Sequence, residues 1–413
     1  MENNMLNTQL PKLLWISLFA PYDGVPHASG KIQNFYLKSL KNSNTFDIRM
    51  ITFGEEEEVN KIDLDKWDIP YDLIIYQRKG IIAYILKWID RLSKICIYNR
   101  YAGLTSRFIY RGINKKLKRL KTEDYKPDIV VLDWTEILFL MKDVKKIFPD
   151  VKIVSIEEDV TFLGYERKVN HANSFMKKNF FAAKGKQIKK TELKHLRDSD
   201  LCITNNYKDQ TLIEDNIRAT NIWTWTPYFQ SMIHLRRKTP NKNLLFYGAM
   251  FRPENWKSAL WFIENVFALI EDKEVKFIIV GNKPPQDILK YQSERIQVLG
   301  FMEDISVVFD KSLCLVAPLV LGAGVKIKVL EGMSSGIPVL TNEIGIEGIS
   351  ARDGVEYFHC VEPEDYLNVI QQLLEQKIDY KDVEVKAKAF IKRNYNFDAD
   401  ANIFKNKLSS LQK

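Results

Sequence analysis

Apolar residues along the first half of the chain fall in short runs separated by stretches with helical spacing. Runs at 13–20, 47–53, 72–77, 128–133, 151–156 and 201–205 have strand length. Their near-continuous apolar character suits strands covered on both faces, as in a parallel sheet. Positions 31–40 and 176–197 carry the spacing of amphipathic helices. After a polar, basic, proline-bracketed stretch at 226–241, which reads as an interdomain linker, the alternation restarts. Residues 243–247, 276–280, 296–300 and 314–317 read as strands, and 362–375 as a helix. Residues 383–411 are helical in pattern with a break near 395–397. Strand–helix alternation on both sides of a linker predicts an α/β protein of two doubly wound domains. The expected bounds are 1–230 for the first domain, 231–393 for the second, and 394–413 for a final helix packing back on the first.

Composition narrows this little. The chain has 413 residues, enough for two ordinary domains. No apolar run approaches the roughly 18–20 residues that span a bilayer, and the run at 13–20 reads as a first strand rather than a signal sequence. Cys96, Cys202, Cys314 and Cys360 are far apart and the five histidines are scattered, so neither a disulfide framework nor a metal cluster is indicated. A reducing cytoplasm fits. The formal charge of +8 suits acidic small molecules, an anionic membrane or nucleic acid.

The most informative stretch is LVLGAGVKIKVLEGMSSGIPVL at 319–340, running on to Gly348. Gly322 and Gly324 allow a tight turn and a close approach of backbone to a ligand. A helix expected from Val325 points its N–H groups at that loop, a site suited to phosphate. Lys326 and Lys328 put positive charge where the helix dipole disfavours it, so an anionic ligand is expected there. Glu331, further in, has the chemistry to hold the two vicinal hydroxyls of a ribose. The same pattern also fits an ordinary βα turn with two solvated lysines.

These residues resemble the donor-nucleotide motif of family 4 (group 1) glycosyltransferases. The resemblance is carried by Pro318, Gly322, Gly324, Lys326, Lys328, Glu331, Met333, Gly336, Pro338, Val339, Gly345, Glu347 and Gly348. Many members have two glutamates eight apart; the first falls here at Ala323, so only Glu331 is present. The resemblance implies the GT-B architecture: two Rossmann-like doubly wound domains facing a cleft, with the C-terminal helix crossing back to the first. It implies a retaining sugar transfer from a nucleotide-diphosphate donor without a metal or other cofactor. The donor would meet Gly248, Arg252, Lys257, Gly281, Gly300, Phe301, Met302, Gly322, Ala323, Gly324, Val325, Lys326, Lys328 and Glu331. Arg252, Lys257 and Glu331 would also serve the chemistry, the two cations by neutralising the leaving diphosphate. Asp304 would be a helix cap.

In the first domain, Gly24, Ser29 and Gly30 lie in the loop after the first strand and would approach a bound sugar or phosphate. His27, the loop's titratable group, is a candidate acid/base or donor, or merely solvated. Glu157, Glu158 and Asp159 follow a strand, where they would orient or deprotonate an acceptor hydroxyl or simply favour a helix N-terminus; Glu158 and Asp159 are carried as catalytic candidates.

Residues 77–126 hold fourteen Lys/Arg against three acids, interleaved with large apolar side chains. Residues 176–197 extend this character. An anionic membrane surface and a helix pair packed on the sheet both fit. Nucleic acid fits less well, since no nucleic-acid-binding motif accompanies the charge. The expectation is a cytoplasmic enzyme, peripheral at the inner membrane face, with a glycan or lipid-linked acceptor in surface polysaccharide or glycoconjugate synthesis. The alternatives are a non-catalytic glycan- or membrane-binding partner of the same fold, and a nucleotide-sugar epimerase or hydrolase. A dehydrogenase and a Walker-type NTPase fit poorly, as neither glycine signature occurs.

Overall fold

A computed structural model describes residues 10–25, 28–76, 81–96, 98–170, 172, 174–218, 221–322 and 324–412. The chain divides into two compact units, residues 1–226 with 397–413, and residues 227–396.

The first unit holds seven parallel strands: β1 (Lys12–Ile16), β2 (Asp47–Glu55), β3 (Tyr71–Tyr76), β4 (Ile129–Asp133), β5 (Lys152–Glu157), β6 (Leu201–Thr204) and β7 (Ile222–Thr224), in the order β3-β2-β1-β4-β5-β6-β7. Leu14, Ile16, Val130, Leu132 and Ile153 from the central strands share one core. The apolar run at 13–20 leaves the sheet after Ile16, ahead of Pro21. The sequence reading ends this sheet at residues 201–205. The structure adds β7, whose three residues are too few to stand out as a strand.

The final helix, Phe397–Ser410, packs on this first unit. Phe404 is buried and meets Trp15, Tyr36, Trp223 and Trp225 with ring centroids 5.7–6.3 Å apart.

The basic region resolves into two helices with different roles. Arg107–Thr122 turns Ile109, Ile113, Leu117 and Leu120 into the core. Its Lys116 and Arg119 reach buried Asp72, so this helix is structural. Ile81–Ile95 instead exposes Tyr84, Ile85, Trp88, Ile89, Leu92 and Ile95. Lys184, on the helix Phe175–Arg197, is buried rather than a surface cation. Its ammonium donates at 3.0 Å to the carbonyls of Lys94 and Gly103, and burial pulls its pKa down to about 8.

The second unit has six parallel strands: β8 (Asn243–Tyr247), β9 (Lys276–Val280), β10 (Ile296–Gly300), β11 (Cys314–Ala317), β12 (Val339–Thr341) and β13 (Phe358–His359), in the order β10-β9-β8-β11-β12-β13. Leu244, Phe246, Phe277, Ile279, Val316 and Leu340 form its core. The expected linker at 226–241 is largely part of this unit. Phe229 and Met232 are buried, and the Arg237 guanidinium donates to the carbonyls of Phe309, Gly336 and Ser312.

Candidate active site

Strand order reverses direction at β8, which lies between β9 and β11. In an open parallel sheet, ligands bind beyond the carboxyl ends of the strands at such a switch point. The loops after β8 and β11 meet there, and they carry most of the motif residues.

The loop after β8 is short. Gly248 N–H donates to Val280 O at 3.0 Å, and Phe251 N–H to Asn282 O at 3.2 Å. Arg252 is the N-cap of the helix Pro253–Asn265, and its guanidinium pairs with Glu254. Gly281 N–H donates to Gly300 O at 2.7 Å, which joins the ends of β9 and β10. Gly281 has φ +155, and a Cβ there would collide with the Gly248 carbonyl oxygen. Phe301 is mostly exposed beside Gly300, and Asp304 accepts from Ser306 N–H and Oγ, a local turn leading into the next helix.

The loop after β11 is held from three sides. Ser258 Oγ accepts from Val320 N–H at 3.1 Å, Asn342 Nδ2 donates to Leu319 O at 2.9 Å, and Thr341 Oγ1 donates to Ala317 O at 2.7 Å. Positive φ at Gly322 and Gly324 then turns the chain into the helix Ile327–Ser335. This helix starts two residues later than the expected Val325, because Lys326 is extended and serves as N-cap. Lys326 and Lys328 therefore sit at the cap and the first turn, beside N–H groups that lack intrahelical partners.

Three cations gather here with three acids. Lys326 Nζ lies 3.7 Å from Glu347 and also donates to Gly324 O. Glu331 is buried, and the Tyr247 phenol hydrogen-bonds its carboxylate. Burial and the Glu331 charge raise the pKa of that phenol, so it stays a donor. Lys328 is partly buried with its head enclosed: Nζ lies 4.7 Å from the Phe246 ring centroid and donates to Asn255 Oδ1 at 2.6 Å. Burial and the Arg252 charge pull its pKa down to about 7.

Lys257 is exposed, with Nζ 5.6 Å from the ring centroid of its neighbour Trp256. Gly24 is in a turn with φ +78, whereas Gly30 is buried in the first turn of the helix Ala28–Asn42 and not in a loop. His27 and Ala323 lie outside the described residues. Asn255, Ser258 and Tyr247 went unnoticed in sequence; only the Pro-x-Asn at a helix start hints at Asn255.

The three carboxylates at the end of β5 and just beyond it differ from the expectation. Glu157 and Glu158 are buried and face inward. Glu158 accepts from Asn205 Nδ2 at 2.7 Å, and burial with the Asp133 charge holds its pKa well above the ordinary range. Burial disfavours the ionised form that a general base needs. Glu157 accepts from Thr135 and pairs with Glu192, which itself accepts from Thr161 N–H at 2.8 Å and Phe162 N–H at 3.1 Å. Only Asp159 of the three is exposed.

Burial raises Glu157, Glu158, Asp133 and Glu192, the last to about 8. Groups whose folded pKa exceeds the unfolded value stabilise below the ordinary carboxylate range and lose that contribution as pH rises through the folded value. The melting temperature should therefore fall from about pH 5 to pH 8. Glu192→Gln, which cannot ionise, should flatten that slope in calorimetry; an unchanged slope would assign it elsewhere.

Residues 241–376 match the family model of Glycosyl transferases group 1. The second unit is a group 1 glycosyltransferase domain. The whole chain is similar to an uncharacterized 44.6 kDa protein in the cps region of Klebsiella pneumoniae, 22% identical over 94% of this chain and 97% of that one. Among solved structures it is similar to sucrose-phosphate synthase from Thermosynechococcus elongatus (TM-score 0.70, 14% identity, 97% and 99% of the two chains). It is also similar to Anabaena HepE in complex with UDP-glucose (TM-score 0.65, 14% identity, 97% and 99%). At these identities the likeness shows the fold: two Rossmann-like domains of the GT-B type, the second carrying the glycosyltransferase motif.

Proposed function

We propose that this glycosyltransferase takes a sugar from a nucleotide-diphosphate sugar and delivers it, with retention, to a glycan or lipid-linked acceptor. The observation that carries the reading is Lys328, an enclosed amino group whose hydrogen-bond partner is a neutral amide, beside a helix N-terminus and two glycine turns at the switch point. That is an anion site awaiting charge. A structural relative holds UDP-glucose, which fits the donor class.

In this reading the Glu331 carboxylate takes the ribose hydroxyls, and the exposed Phe301 with the Gly300 backbone faces the base. Arg252, Lys326 and Lys328 hold the diphosphate. The bond from the anomeric carbon to the β-phosphate oxygen breaks, and these cations take up the charge on the leaving oxygen. The acceptor oxygen then bonds to that carbon on the same face, and its proton passes to the departing phosphate oxygen. The measurement is release of nucleoside diphosphate from a panel of nucleotide sugars, with product configuration read by NMR. Acceptor-dependent release with a retained anomer is expected. Equal release without acceptor would support the hydrolase or epimerase reading.

The helix Ile81–Ile95 supports a membrane-facing acceptor. Its exposed Tyr84, Trp88 and Leu92 adjoin Arg91 and Lys94, a pattern suited to anionic lipid. Phe175 and Met176, at the start of the helix whose Lys184 holds Lys94 O, are also exposed. Among the described residues, no helix is long and apolar enough to cross a membrane. Sedimentation with phosphatidylglycerol vesicles should exceed that with phosphatidylcholine and be lost in Trp88→Glu. Equal recovery from both would contradict this face as a lipid contact.

A further inference from the structure

The hydrogen-bond pattern around Lys328 has a direction. The Asn255 amide is fixed in orientation because its Nδ2 donates to Ala249 O at 2.8 Å, and that leaves Oδ1 for Lys328 Nζ. Asn255 is itself buried, and its backbone N–H donates to Arg252 O at 3.0 Å in the first turn of the helix. Gly248 closes the space from the strand side: a Cβ there would lie 2.8 Å from Lys328 Nζ and 3.0 Å from Asn255 Cγ. The lysine head is thus confined by a neutral acceptor, an aromatic face and a glycine.

We propose that Asn255 is a positioning residue that keeps Lys328 as a proton acceptor in the empty site, so that a nucleoside diphosphate binds with uptake of one proton at Lys328 Nζ. This rests on the donor-site reading above.

Four charged groups among the described residues act on the lysine. Arg252 and Glu254 come from the start of one helix, and Lys326 and Glu331 from the other. Lys326 is paired with Glu347, Arg252 with Glu254, and Glu331 is hydrogen-bonded by Tyr247. The carboxylates favour the ammonium, but burial and the two cations outweigh them and leave Lys328 near pH 7. A diphosphate brought against it adds negative charge beyond that of the two carboxylates, and therefore draws a proton from solvent. Above about pH 7 the phosphates are themselves ionised, so the uptake is assigned to the protein.

An aspartate at 255 would replace the neutral acceptor with a carboxylate. It would hold Lys328 permanently charged and occupy the charge that the diphosphate needs. The linkage should vanish while the lysine is still present.

The test is isothermal titration with UDP, GDP, ADP, dTDP and CDP in buffers of different ionisation heat, over about pH 7 to 9. For the nucleotide that binds, the wild-type protein should take up close to one proton at about pH 8 and lose affinity about tenfold per pH unit. Asn255→Asp should show no uptake, a flat pH profile and about tenfold weaker binding at pH 7. Gly248→Ala, which displaces the head, should reduce the uptake in the same way. Melting curves without ligand establish that the variants are folded. NMR titration of reductively methylated lysines reads Lys328 without any nucleotide: near neutral in the wild type, in the ordinary lysine range in Asn255→Asp. Binding without proton uptake, or uptake unchanged in Asn255→Asp, overturns the proposal and leaves the donor site standing. Absence of binding by all five nucleotides overturns both.

Discussion

Replacing Gly281 with alanine should lower the melting temperature of the second unit by about 6–12 °C and remove its ligand site, a cost on the order of 3 kcal/mol or more. The new Cβ would occupy the place of the Gly248 carbonyl oxygen at a backbone φ of +155, which side-chain-bearing residues rarely adopt. No flexible side chain can yield, because the obstacle is backbone. Relief requires the ends of β8, β9 and β10 to part, and these are joined by Gly248 N–H to Val280 O and Gly281 N–H to Gly300 O. Gly300→Ala is the comparison. Its φ of +69 is also positive, but a Cβ there meets nothing within 4 Å, so a cost of about 1 kcal/mol is expected. Calorimetry of both variants measures the difference. Equal melting temperatures would show that the three loops are not held as described.

The second large effect is expected at Glu331. Glu331→Gln keeps the volume of a buried side chain and removes its charge. A carboxylate accepting two hydroxyls is worth more than an amide accepting the same pair, because hydrogen bonds to charged groups contribute about 1.5–3 kcal/mol each. Donor affinity should fall about 10–100-fold, with the melting temperature of the empty protein little changed. Lys326→Ala should act in the same direction, since it removes a cation at the helix start and leaves Glu347 without its partner at 3.7 Å. Calorimetric titration with the cognate nucleotide reads both. Wild-type affinity in Glu331→Gln would mean that this carboxylate only packs against Tyr247.

The glycosyltransferase domain was readable where function constrains the backbone. Gly322, Gly324, Gly336 and Pro338 announce turns and a helix boundary through their own conformational limits, so the stretch 318–348 could be located without coordinates. Contacts between distant segments were not readable. Lys328 and Asn255 are 73 positions apart, and Val320 and Ser258 are 62 apart; nothing local in either segment announces the pairing. Side-chain direction was the other gap. Glu157, Glu158 and Asp159 look alike in sequence, yet the strand and the turn after it bury two and expose one. The helices Ile81–Ile95 and Arg107–Thr122 share a basic, apolar composition, and their roles separate only when one face is seen to meet the sheet. Edge strands of two or three residues, β7 and β13, carry too few positions to show a period.

The proposed function requires the switch point of the second unit to bind the diphosphate of a nucleotide sugar. The most direct measurement is thermal denaturation of the purified protein with UDP, GDP, ADP, dTDP and CDP, each with and without magnesium. A ligand that binds the folded state must raise the melting temperature, by an amount that grows with its concentration over Kd. A magnesium-independent rise with one of the five, lost in Glu331→Gln, is expected. No rise with any nucleotide would contradict it and favour a non-catalytic binding partner of the same fold.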